Sequence, residues 1–210
     1  LAILLLVAAL VAPVCALAQD DMLRGTPAEQ EALASLDAGK FIRAREQAEA
    51  ILDDDEDSFI ATYVRAYAFY EGEANHPRAY FIMRQAEKLL LDAYGPEPDL
   101  ADSIRWHKRI LNDRMWILGE MDDREGQLEV IEAYNALYRP PMEVEKIWPL
   151  MKLERFDEAI AIGRAHVTDD DIYIRLRAYN GLMAIADEQR QRLAAYETGN
   201  TTYHIGHLGP

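Results

Sequence analysis

LASLDAGKFIRAREQAEAIL, from Leu33 to Leu52, can be laid over LMKLERFDEAIAIGRAH, from Leu150 to His166. In both, a helix-forming stretch ends in a short polar turn. An aromatic follows (Phe41, Phe156), then Ala three residues later (Ala44, Ala159), and a further small residue four on (Ala48, Gly163). Self-similarity of this kind marks a chain built by repeating one supersecondary unit. Between and around these segments, Ala, Leu, Glu, Arg and Gln recur in helical spacing with almost no β-branched alternation. Breakers interrupt at Gly39, Gly72, Gly95-Pro96, Gly119, Pro140-Pro141, Gly163 and Gly199. The pattern predicts helices near 27–38, 41–54, 58–72, 77–94, 99–119, 123–138, 142–153, 156–167 and 171–197. Pro77, Pro98 and Pro141 lie near predicted helix starts, where a missing N–H does no harm. Asp57-Ser58, Asp99 and the run Asp169 to Asp171 supply N-caps.

The paired segments resemble the tetratricopeptide repeat, whose antiparallel helices need an aromatic at the turn and small residues where helices cross closely. Ala86 to Ala101, AEKLLLDAYGPEPDLA, is similar to the longer repeat of kinesin-light-chain-like arrays through its core YGPEPDLA. Leu118 to Val130 follows, with Gly126 in the small position; it departs from the pattern in having Asp123 where an aromatic is usual, and no His precedes the second Pro. The resemblance implies an all-α fold, a right-handed α-solenoid of antiparallel helix pairs spanning residues 27–197. It also implies a concave groove lined by the first helix of each pair, and such grooves commonly bind proteins.

The chain has 210 residues, and Leu1 to Ala18 (LAILLLVAALVAPVCALA) carries no charge. Ala16 and Ala18 fill the −3 and −1 positions of a secretory cleavage site before Gln19, which predicts a signal peptide over 1–18. An uncleaved anchor is the competing reading, because about 18 apolar residues can just span a bilayer. Residues 19–26 read as a short linker, and 198–210 (TGNTTYHIGHLGP) as a loose or truncated tail. The expected location is the periplasm or exterior of a bacterial envelope. The one cysteine, Cys15, falls within the leader, so the remainder can form neither a disulfide framework nor a thiolate metal site.

Lys plus Arg number 22 against 37 for Asp plus Glu, a formal charge of −15. Such a surface repels phosphate backbones, so nucleic acid is not expected as a partner, and a membrane only through an uncleaved N-terminal segment. Asp53, Asp55 and Asp57 alternate like the start of a calcium loop, yet Ser58 and Val64 stand where that loop needs Gly and Glu. His204 and His207 lie beside Gly206 and Gly209, a poor setting for a helical metal pair. No nucleophile elbow surrounds Ser35, Ser58 or Ser103, and no glycine-rich phosphate loop occurs. The reading is therefore no catalytic residue, no metal and no cofactor.

One constellation points to recognition. Tyr63, Tyr67 and Tyr70 fall at i, i+4 and i+7 and share a helix face. Aligned on the repeat, they point into the groove, joined by Trp148 and Tyr179. Tyrosine offers stiff contact area with a polar tip, which suits a binding surface, although the rings could equally pack between helices. The expected function is an exported scaffold or adaptor that holds a protein or peptide, with a basic segment favoured by the acidic groove. A regulatory or assembly module of a longer protein is the alternative.

Overall fold

A computed structural model describes residues 25–206, with side-chain environments described to residue 194. The signal peptide expected over 1–18, most of the linker, and His207 lie outside the described residues. Helices make up the described chain, which contains no strand. They are α1 (Pro27–Asp37), α2 (Phe41–Asp54), α3 (Phe59–Tyr67) continued by a π-helical turn Ala68–Gly72, α4 (His76–Tyr94) and α5 (Ala101–Glu120). After these come α6 (Arg124–Leu137), a 3₁₀ turn Glu143–Lys146 leading into α7 (Ile147–Lys152), α8 (Phe156–His166) and α9 (Ile172–Gly206). Two compact units divide at residues 123 and 124. Among the described residues, no helix is long and apolar enough to cross a membrane.

In the first unit, each helix packs on its neighbour in sequence, and α1 also packs on α3. In the second, α6, α7, α8 and α9 pack in succession, and α7 also meets α9. Contacts between successive and between alternate helices are what stacked helix hairpins produce.

Three turns share one hydrogen-bond pattern. At the first, Ala38 N donates to Ala34 O (3.1 Å) and Lys40 N reaches back to Ser35 O (2.9 Å), around Gly39 at φ +70°. The same pattern recurs around Asp122 (φ 60°), with Asp123 N on Leu118 O at 3.0 Å, and around Glu154 (φ 62°), with Arg155 N on Leu150 O at 2.9 Å. Each is a left-handed helix stop that returns the last carbonyls to backbone donors. Helix starts follow from local chemistry as well. Thr26 and Glu29 form a capping box on α1, with Glu29 N on Thr26 Oγ1 at 3.3 Å and Thr26 N on Glu29 Oε2 at 2.6 Å. Ser58 caps α3 through Ala61 N at 3.0 Å and donates its own hydroxyl to the buried Glu29 carboxylate, tying two helix starts together.

The small residues of the repeat sit where helices approach. Ala44, Ala48 and Ala159 are fully enclosed. A Cβ placed on Gly163 would come within 2.7 Å of Leu182, and one on Gly72 within 2.6 Å of Phe41 Cβ. The first unit's core runs from Ala32 and Leu36 through Phe59–Ala66 and Phe69 to Met83, Leu90 and Ile110. The second unit's smaller core joins Leu128, Val144, Ile147, Leu150, Met151, Ala178 and Ile185.

Two expectations are corrected. The helix expected over 58–72 changes to a π turn from Ala68, which opens the backbone register and lets Ala68 and Phe69 both be buried. The helix expected to stop at 197 runs to Gly206, so 198–206 is not a loose tail. One glycine lowers helix propensity by about 1 kcal/mol but keeps its backbone hydrogen bond, so Gly199 does not end the helix.

Candidate functional site

The tyrosine face of α3 meets α5 across the first unit. Tyr63 is fully enclosed, its hydroxyl donating to Asp113 Oδ2 at 2.8 Å and accepting from Arg109 Nε at 2.7 Å. Trp106 packs edge-on against its ring at 5.3 Å, and the Arg109 guanidinium lies over the ring at 4.8 Å. Phe59, also buried, meets Trp106 at 5.5 Å. Tyr63 was expected to point into a groove. With Trp106 and Arg109 closed over it, its ring offers no surface to a partner.

From Tyr63 an aromatic file runs outward: Tyr67 at 6.0 Å, Tyr70 at 5.8 Å from Tyr67, and His76 at 5.7 Å from Tyr70. Tyr67 and Tyr70 are half-buried. Tyr70 sits within the widened turn Ala68–Gly72 that begins just after Tyr67, and it meets Tyr67 edge to face.

Carboxylates surround this file. Lost solvation pushes the Tyr70 hydroxyl up to about 12, helped by Glu71 and Glu120. Burial, then the charges of Asp113 and Glu71, raise Tyr67 as well, while Arg109 opposes them. Burial drives the Tyr63 hydroxyl far above the ordinary phenol range, with Asp113 adding to it. The Asp113 carboxyl itself is raised, chiefly by burial, against the pull of Tyr63's hydrogen bond and Arg109's charge. Arg109, whose Nη2 stands 3.8 Å from Asp37, also faces Asp113, while Glu71 and Glu120 act on Tyr70 at the outer end of the file. Tyr67 and Tyr70 stay neutral near pH 7, presenting rings and hydroxyls within a negative field.

The other two residues singled out from sequence lie in the second unit. Trp148 on α7 is about half exposed, with Lys152 Nζ 4.8 Å over its ring, and it lines a hollow of about 210 Å³ with Glu145, Arg177 and Gly181. Tyr179 lies on the outward side of α9 and does not line that hollow. The structure therefore brings Tyr63, Tyr67 and Tyr70 together and leaves Trp148 and Tyr179 in separate surroundings.

Sequence reasoning missed Arg109, Asp113 and Trp106. Nothing local marks them: Arg109 and Asp113 reach Tyr63 over 46 and 50 residues of chain. Their spacing of four on α5 places both on one face, which is the only signal the sequence carries. Among the described residues, no group of three or more His, Cys, Asp or Glu is placed to hold a metal ion. Comparison with protein families, curated proteins and solved structures finds no match for this chain.

Proposed function

We propose that the protein is an exported binding scaffold of the tetratricopeptide type. Its helix hairpins stack as a right-handed α-solenoid, and its first unit holds a Lys- or Arg-bearing segment of another protein against Tyr67 and Tyr70. The observation that carries this reading is the file of half-buried tyrosines set among carboxylates. Rigid aromatic rings with polar tips provide contact area at low entropic cost, and a negative surround selects a cationic partner. Packing of alternate helices and the recurring turn at Gly39, Asp122 and Glu154 support the repeat architecture. Tyr63 spends its hydroxyl on Asp113 and Arg109, and Asp113 also accepts from Asn112 Nδ2 at 3.4 Å. That network braces the tyrosine file, a role in binding and not in turnover.

The test is affinity capture from an envelope extract with the wild-type chain, a Tyr67→Ala/Tyr70→Ala variant and a Glu71→Gln/Glu120→Gln variant. Tyr63 is left in place because it is core, and circular dichroism checks that helicity is kept. A protein held by wild type, lost from the tyrosine variant and weakened by the charge variant supports the proposal. An unchanged set of captured proteins on both folded variants overturns it.

A further inference from the structure

α9 carries apolar residues on two sides. One side, through Ile174, Ala178, Leu182 and Ile185, packs into the second unit: Ala178 and Ile185 are buried there, and Leu182 lies against Gly163. The other side faces solvent. Ile172 (64% exposed), Leu176 (54%), Tyr179 (50%), Met183 (66%) and Leu193 (60%) lie on it, with exposed Ala186 and Arg190 completing the series. Their numbers, 172, 176, 179, 183, 186, 190 and 193, alternate steps of four and three without a break. That is the seam of a coiled coil, along which a second helix remains in contact over the whole length. Scattered exposed apolar side chains are ordinary, but a continuous stripe marks an interaction surface.

We infer that this stripe pairs with the α9 stripe of a second copy of the chain, antiparallel, about a twofold axis close to residue 181. Charge distribution selects this occupant and this direction. Exposed Asp170 and Asp171 precede the stripe at one end, and Arg190 interrupts it near the other. Among the described residues, Arg190 pairs with Asp187 at 2.6 Å, an exposed interaction of little worth in water. In an antiparallel pair Arg190 meets the partner's acidic end beside Ile172, whereas a parallel pair sets Arg190 against its own copy. Side-chain sizes fit the same register. Tyr179 meets Met183 of the second copy, and Leu176 meets the small Ala186. The helix dipoles oppose one another in this arrangement and align favourably. The two-fold relation makes one patch serve both partners, as an isologous interface requires.

Sedimentation equilibrium of the purified chain provides the first measurement. A dimer is expected for wild type. A Leu176→Glu/Met183→Glu variant should associate at least about 100-fold more weakly, because both carboxylates would be buried at the seam. Both residues are solvent-facing in the single chain, so the variant should keep its helicity. Direction is read by oxidative cross-linking in a Cys15→Ser background. Ile172→Cys with Arg190→Cys should give a covalent dimer, while each alone should not, since 18 residues of helix separate the positions by about 27 Å within one chain. A wild-type chain that stays monomeric to roughly 100 μM overturns the proposal, as does a dimer untouched by the Glu variant. Cross-linking by either single cysteine variant overturns the antiparallel arrangement.

Discussion

Tyr63 joins two charged side chains whose burial alone would be costly. Its hydroxyl is the donor to Asp113 and the acceptor from Arg109, so Tyr63→Phe leaves a buried carboxylate and a guanidinium N–H each short of a partner. A cost of about 1–3 kcal/mol in urea unfolding is expected, the usual penalty for an abandoned buried polar group. The loss should depend on pH. Asp113 already titrates above its ordinary value because of burial, and removing Tyr63's hydrogen bond raises it further. A carboxyl whose folded value lies above its unfolded one contributes most below the unfolded value and loses that contribution as pH rises through the folded value. The difference between Tyr63→Phe and wild type should therefore be largest near pH 7 and shrink toward pH 4. Adding Asp113→Asn should recover part of it at neutral pH, and a variant whose penalty is flat with pH would falsify the assigned role of Asp113. At this scale the sequence was least informative. The tyrosine spacing was legible as a shared face, but which ring is core and which is surface depends on Trp106 and Arg109, one turn of a helix far along the chain.

Helix boundaries were far more legible, because their causes are local. The capping box at Thr26 and Glu29, the caps at Ser58 and Asp171, and Pro77 in the first turn of α4 all act within a few residues. Leu100 and not Asp99 occupies the N-cap of α5, a difference of one residue. The stops were readable at Gly39 and also near 119 and 153, where the observed helices end within one residue of expectation; only the left-handed residue itself, Asp122 or Glu154 and not a glycine, carried no signal. Small residues at helix crossings were likewise anticipated, and Gly163 gives the sharpest prediction. Gly163→Ala gains about 1 kcal/mol of helix propensity but drives a Cβ to 2.7 Å from Leu182. Overpacking of this kind costs about 1–3 kcal/mol, so a net loss of stability is expected. Leu182→Ala in the same chain makes room and should give a favourable coupling between the two changes in chemical denaturation. Strict additivity would show that the two helices do not meet there.

The charge of the whole molecule, −15, sets the conditions under which a cationic partner would be recognised. Most of that charge is spread over solvated surface and acts at long range only in dilute salt, since the Debye length is about 10 Å at 0.1 M and falls to about 3 Å at 1 M. Charges beside the tyrosine file act differently. Glu71 and Glu120 raise the Tyr70 hydroxyl, so they would also act on a Lys or Arg bound beside that ring. Two components should therefore separate in a salt titration of any captured partner. Between about 50 and about 300 mM salt, the association rate should fall several-fold as long-range attraction is screened, with the dissociation rate changing less. In Glu71→Gln/Glu120→Gln, which removes only 2 of the 37 acidic residues, the steering component should survive almost intact. Dissociation should accelerate instead, because contacts at the site govern residence time. A variant that slows association and leaves dissociation unchanged would assign these carboxylates to the general field of the molecule, and the tyrosine file would then hold its partner by shape and hydrogen bonding alone.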